Sequence, residues 1–163
     1  MLHADAEPTV AQDRFIAVDF TQPWPDQSGI SDWHQHLTVF PWVRGDLVAT
    51  GRVLEQFAPT LRPINATVIE AADFGVREPL SVWLLGPEPV LRGLRKVCLA
   101  LLTNVASLEN TTFTGEKYTP HITVHRQHSE LVQGEELVIR AISLVQKVGD
   151  RRLIHKTVEL GDG

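Results

Sequence analysis

The chain has 163 residues, a length typical of one globular domain, with 43% hydrophobic and 21% charged residues. Its formal net charge is −5 and its arginines are scattered, so it is not expected to follow a long nucleic-acid duplex. No apolar run approaches the roughly 20 residues that cross a bilayer, so no membrane partner is expected.

The single cysteine, Cys98, excludes an intrachain disulfide, and the amino terminus lacks the basic and apolar regions of a secretory signal. Both features predict a cytoplasmic protein. Residues 1–13 are polar and are expected to form a flexible N-terminal tail, followed by a single domain over residues 14–163.

The first half of the chain predicts strands around one helix. Residues 15–20 form an apolar run that predicts a buried strand, and residues 33–40 predict a second strand that ends at Pro41. Asp46 is placed to cap a helix running to about Phe57. Residues 64–71 and 80–85 are rich in β-branched residues and predict two further strands.

The second half begins with the clearest helix, which follows Pro87. Its apolar residues recur at three- and four-residue steps: Val90, Leu91, Leu94, Val97, Cys98, Leu101 and Leu102. Cys98 is therefore expected to be inert core. A polar loop over residues 104–117 leads to a strand, and a closing hairpin turns at Gly149. The order of elements predicts an α+β protein.

Two of the predicted strands carry the same motif, His-x-Thr-x with apolar residues at x. It occurs at His36 and Thr38, and again at His121 and Thr123. Because successive side chains of a strand point to opposite faces, each His shares a face with its Thr. Two such strands side by side would form a cleft floor with two imidazoles and two hydroxyls.

These groups suit displacement at phosphorus. One neutral imidazole can activate the attacking oxygen, and one cationic imidazole can protonate the leaving oxygen. The Thr hydroxyls, about 7 Å along the strand from their His, can donate to the phosphoryl oxygens.

The paired motifs, with Pro120 before the second and Arg126 after it, resemble the 2H phosphoesterase superfamily. Within it they are most similar to the 2′-5′ RNA ligase-like cyclic phosphodiesterases, over nearly all of residues 14–160. The resemblance implies a bilobal, pseudo-symmetric fold in which two antiparallel sheets flank a central cleft, with helices on the outside. It also implies hydrolysis of 2′,3′-cyclic phosphates of a nucleotide or RNA end, commonly to 2′-phosphates, without metal or cofactor.

The resemblance makes His36 and His121 the acid/base pair and Thr38 and Thr123 the phosphate contacts. We assign water activation to His121 and protonation of the leaving oxygen to His36. Arg126 matches a position where the family often contacts phosphate or base, although strict alternation points it away from the His face.

Four further residues flank the motifs. Tyr118 and Trp33 could stack on a nucleobase. His34 and His125 share the faces of the motif histidines and could contact phosphate at the rim or form a metal site. No carboxylate or thiolate lies at ligand spacing beside them, so no metal is predicted.

Two other functions remain open. The same histidines could cleave a cyclic oligonucleotide signalling molecule, or the chain could be a nucleotide-binding module without turnover. The intact His and Thr pairs argue against the module, since binding alone would not require both imidazoles. The expected partner is a small nucleotide or an RNA terminus, and the expected state is a monomer.

Overall fold

A computed structural model describes residues 13–20, 35–75, 77, 79–109, 118–124 and 130–161 of the chain. The predicted N-terminal tail up to residue 12 lies outside the described residues, as do Trp33, His34, His125 and Arg126.

The described residues contain the predicted strands and helices in the predicted order, together with two further short strands over residues 106–108 and 136–139. The strands are β1 (Asp13–Phe20), β2 (His36–Gly45), β3 (Ile64–Phe74), β4 (Leu80–Gly86), β5 (Ala106–Leu108), β6 (His121–Thr123), β7 (Glu136–Ile139), β8 (Ala141–Val148) and β9 (Arg151–Glu159). The helices are α1 (Leu47–Phe57), followed by a short 3-10 turn, and α2 (Glu88–Leu102). Asp46 caps α1 as predicted, because its carboxylate accepts the Ala49 N–H at 2.9 Å.

All strand pairs among the described residues are antiparallel, in the order β7-β3-β4-β6-β2-β1-β8-β9, with β5 beside β2. The described strands therefore form one continuous sheet where two sheets were predicted. The two sides of this sheet are joined where β2 pairs with β6 through Leu37 and Ile122. The α+β class is confirmed.

Two local predictions were wrong. Pro41 does not end the second strand, because β2 continues to Gly45. Its register with β1 shifts twice around Ala17, so Pro41 lies in an irregular stretch where its missing N–H interrupts no regular ladder. The predicted polar loop after α2 begins with the short strand β5, which pairs along the end of β2.

The two faces of the sheet differ in what covers them. One face packs against both helices in the main hydrophobic core, which contains Leu37, Ile122 and the buried Cys98. The other face carries a smaller apolar cluster built by β1, β8 and β9, with Trp42 packed against it. Side chains of β2 and β6 that alternate with Leu37 and Ile122 therefore do not enter this main core.

No helix among the described residues is both long and apolar enough to span a membrane.

Candidate active site

The two motifs lie on neighbouring central strands of the sheet. Leu37 of β2 is the antiparallel partner of Ile122 of β6. Both side chains are buried in the main core, with 3% and 1% of their surface exposed. This apolar pair holds the two motif strands together on the core face of the sheet, opposite the motif histidines.

The same register sets His36 across from Thr123 and Thr38 across from His121. All four side chains are half-buried. Directly opposed residues have Cβ atoms about 4.5–5.5 Å apart, while diagonal neighbours are about 7–8 Å apart. The two histidines are such a diagonal pair, so a phosphate-sized group fits between them.

His121 has a fixed ring orientation. Its Nδ1 lies 2.8 Å from the carbonyl oxygen of Thr119, and since that oxygen can only accept, Nδ1 carries the proton. The neutral ring therefore keeps Nε2 as a proton acceptor. Phe74 packs edge-on against the imidazole, with ring centroids 4.9 Å apart. Burial lowers the pKa of His121 below its usual value, against the Thr119 hydrogen bond, and the nearby charge of Arg95 lowers it further.

Tyr118 connects the two motif strands. It precedes β6, and its hydroxyl donates to the carbonyl oxygen of Thr38 in β2 at 3.0 Å. The guanidinium carbon of Arg95 lies 3.9 Å from the centroid of the Tyr118 ring. Burial raises the pKa of Tyr118 to about 12, although Arg95 opposes the shift, so the phenol is neutral at pH 7.

Beside the motifs lies a cleft of about 730 Å³, a volume within the range of small-molecule sites. The described residues that line it are Ile16, Thr38, Pro41, Trp42, Asp73, Phe74, Gly75, Leu80, Arg95, Tyr118, Thr119 and His121. The cleft thus brings together Thr38, Tyr118 and His121 of the predicted site residues. His36 and Thr123 lie on the same face but are not among these lining residues.

Three basic residues close to the motif strands in sequence, Arg44, Lys117 and Arg126, could also bring positive charge to the cleft. Arg44 is exposed and pairs with Glu109, with its Nε 3.3 Å from the carboxylate, and it is not among the described lining residues. Lys117 and Arg126 lie outside the described residues.

The metal hypothesis for His34 and His125 also falls on residues that are not described. Within the described part of the chain, no group of three or more His, Cys, Asp or Glu side chains is placed to hold a metal ion.

Several cleft residues were missed by sequence reasoning, and Arg95 is the most informative. It lies four residues after Leu91 and three before Cys98, so it belongs to the buried stripe of α2, where 6% of its surface is exposed. An arginine at a core position of an amphipathic helix is a detectable signal. Trp42, Asp73 and Phe74 gave no such signal, because long-range strand pairing alone brings them to the cleft.

Comparisons with known proteins place this arrangement in a known class of fold. No protein-family model matches the sequence, and no curated protein matches it significantly. Among solved structures, TT0787 of Thermus thermophilus has a TM-score of 0.63 and 17% identity, covering 92% of this chain and 100% of that chain.

Structures of LigT from E. coli match as well. The complex with 3′-AMP has a TM-score of 0.53 and 16% identity, covering 92% of this chain and 98% of LigT. The complex with NADP+ has a TM-score of 0.57 and 14% identity, covering 93% and 99%. A further match is described only as a phosphoesterase, with a TM-score of 0.53 and 16% identity over 92% of this chain.

The chain therefore shares its fold with these solved structures. They include LigT and a protein described as a phosphoesterase, so at the level of fold they agree with the resemblance drawn from the two motifs.

Proposed function

We propose that the chain is a metal-independent 2H-type phosphodiesterase that hydrolyses 2′,3′-cyclic phosphates of a nucleotide or RNA end. The observation that carries the proposal is the Leu37–Ile122 pairing, which puts both His-x-Thr motifs on one face of the sheet in antiparallel register. In this register each histidine faces the threonine of the other motif.

His121 is the general base in this proposal. Its Nδ1–H is held by the Thr119 carbonyl, which leaves Nε2 to take a proton from water. Its lowered pKa keeps the imidazole neutral at pH 7 and able to accept that proton.

His36 is the general acid. The water oxygen deprotonated by His121 bonds to phosphorus, the bond from phosphorus to O3′ breaks, and His36 gives its proton to O3′. The products are a 2′-phosphate and a free 3′-hydroxyl. After this step His121 carries an extra proton and His36 has lost one. A net transfer of one proton from His121 to His36 restores both rings for the next turnover.

Thr38 and Thr123 are the phosphate contacts. Their hydroxyls project on the histidine face and can donate to the non-bridging oxygens, where negative charge grows in the transition state. The proposal includes the bilobal arrangement, with the motif strands β2 and β6 at the junction of the two sides of the sheet.

The substrate is proposed to be a mononucleotide or the end of an RNA strand. A cleft of about 730 Å³ suits a ligand of that size. LigT has been crystallised with 3′-AMP, with phosphate and with NADP+, which are small ligands that carry phosphate. A net charge of −5 disfavours a long polyanion. We also propose a cytoplasmic monomer.

The deciding experiment is an assay in EDTA on 2′,3′-cyclic mononucleotides, an RNA with a terminal cyclic phosphate, and cyclic dinucleotides. We expect the wild type to hydrolyse the first two, and His36→Ala and His121→Ala to lose about 100- to 10,000-fold in kcat/KM. Turnover of cyclic dinucleotides alone would favour the signalling-molecule alternative. Binding of nucleotide without turnover of any substrate would favour the binding module and refute the enzyme.

A substrate with a different leaving group distinguishes the proposed roles of the two histidines. A nitrophenyl phosphodiester releases an oxygen that needs little protonation, so His36→Ala should recover most of its lost activity on it. His121→Ala should not recover, because water must still be activated. Equal recovery by both variants would refute the assigned roles, and activity restored only by a divalent ion would refute the metal-independent route.

A further inference from the structure

Arg95 stands apart from the other described cations. It lies in the middle of α2 on the stripe that faces the core, and only 6% of its surface is exposed. Its neighbour Lys96 points to solvent on the same helix. Burying a guanidinium this far is unfavourable unless something in its surroundings compensates the charge.

The surroundings of Arg95 are those of the candidate active site. It lines the cleft together with Thr38 and His121, and its guanidinium lies against the Tyr118 ring. Its positive charge is close enough to His121 to lower the pKa of that imidazole, after the larger effect of burial. Among the described residues that line the cleft, Arg95 is the single Lys or Arg, and Asp73 is the single carboxylate.

We infer that Arg95 is a phosphate-binding residue of the cleft, which donates guanidinium N–H groups to a non-bridging oxygen of the phosphate contacted by Thr38 and His121. This inference rests on the proposed function and names the group that recognises the charge of its substrate. The planar guanidinium matches the geometry of a phosphate. The contact with the Tyr118 ring fixes its position before ligand binds, so little side-chain freedom is lost on binding.

The one carboxylate among the described residues that line the cleft bears on the same point. Asp73 accepts a hydrogen bond from Ser81 at 3.1 Å and would repel a bound phosphate. A cation on the cleft wall would offset this repulsion, and helix α2 places Arg95 there. A helical position is more rigid than one on a loop, which suits recognition of a small charged group.

Binding of ligands without turnover tests the inference. Inorganic phosphate, adenosine 2′-monophosphate and adenosine are titrated by calorimetry into wild type, Arg95→Met, Arg95→Lys and the control Lys96→Met. The control removes the same charge from the solvent face of α2. We expect Arg95→Met to lose about 10- to 100-fold in affinity for the two phosphate ligands, with adenosine affinity unchanged. Arg95→Lys should keep part of the affinity, and the control should match wild type.

A measurement on the wild type covers the case in which Arg95→Met does not fold, as judged by circular dichroism. The Arg95 Nε–H resonance, identified by its loss in Arg95→Lys, should shift when the protein is saturated with inorganic phosphate. An unshifted resonance would overturn the inference, as would phosphate affinity in a folded Arg95→Met equal to that of wild type.

These outcomes are distinct from failure of the proposed function. If wild type binds adenosine 2′-monophosphate through Arg95 but hydrolyses no cyclic phosphate, the phosphate site stands and the proposed reaction is wrong. If wild type hydrolyses cyclic phosphate while Arg95→Met binds the product as tightly as wild type, the reaction stands and Arg95 is only structural.

Discussion

At the scale of single residues, His121 differs from a surface histidine in two respects that matter for acid/base chemistry. The Thr119 carbonyl fixes which nitrogen carries the proton, and burial beside Phe74 disfavours the charged ring. Both effects make His121 a proton acceptor at neutral pH. A solvated imidazole would be partly protonated there and would have no fixed tautomer.

These contacts predict the acidic limb of the pH profile. Because the pKa of His121 is lowered, the ring becomes cationic, and loses its proposed role as base, only below its usual value of 6.5. The kcat/KM of wild type should therefore rise with pH through a midpoint below about 6.5. The measurement is kcat/KM on a cyclic mononucleotide between about pH 4.5 and 9.

The pH profiles of the two histidine variants are the control for the assignment of the acidic limb. His36→Ala should keep the acidic limb at reduced activity, whereas His121→Ala should lose it. An acidic limb with its midpoint well above about 6.5, or one that survives in His121→Ala, would contradict the assignment of His121 as the base.

At the scale of secondary-structure elements, the junction between β2 and β6 is short. Its described register consists of the pair Leu37 and Ile122, whereas β1 and β2 pair along most of their length. The Tyr118 hydroxyl adds a second tie by donating to the Thr38 carbonyl. The relative position of the two motifs therefore depends on few contacts.

The variant Tyr118→Phe tests the contribution of the hydrogen bond from the Tyr118 hydroxyl to the Thr38 carbonyl. The variant removes the hydroxyl and keeps the ring against which Arg95 lies. We expect the free energy of unfolding to fall by about 1–2 kcal/mol. We expect kcat/KM to fall by about 3- to 10-fold, because the Thr38 segment is held less firmly opposite His121. Urea denaturation and steady-state kinetics measure the two effects.

A matched control separates stability from positioning. Ser143 is buried and shares a 2.8 Å hydrogen bond with the Thr157 hydroxyl, and it is not among the described residues that line the cleft. Ser143→Ala should lower stability by a similar amount without changing kcat/KM. If both variants lose activity equally, the effect of Tyr118→Phe is general destabilisation.

The elements also show why some features were predictable from sequence and others were not. The helices and the motif strands follow from local periodicity, and Asp46 marked the start of α1. The continuation of β2 through Pro41 depends on irregular pairing with β1, which no local pattern encodes. The motif revealed His121, but its tautomer depends on the Thr119 carbonyl and could not be anticipated.

At the scale of the whole molecule, the net charge and the local charge of the site oppose each other. The chain carries a net charge of −5, which repels an anionic substrate at long range. Arg95 is a buried cation on the wall of the cleft and acts only at short range. Salt screens the long-range repulsion more strongly than a contact inside the cleft.

This balance predicts how the proposed hydrolysis of a cyclic mononucleotide should depend on salt. Between about 20 and 200 mM NaCl, kcat/KM on a cyclic mononucleotide should rise slightly, by no more than about threefold. A protein that neutralises many phosphates along a strand would instead lose affinity steeply over this range. The comparison substrate is a ten-residue RNA that ends in the same cyclic phosphate. Its salt slope should equal that of the mononucleotide, because only the terminal phosphate is bound. A steep fall for the RNA alone would show that this chain contacts the RNA backbone beyond the cleft.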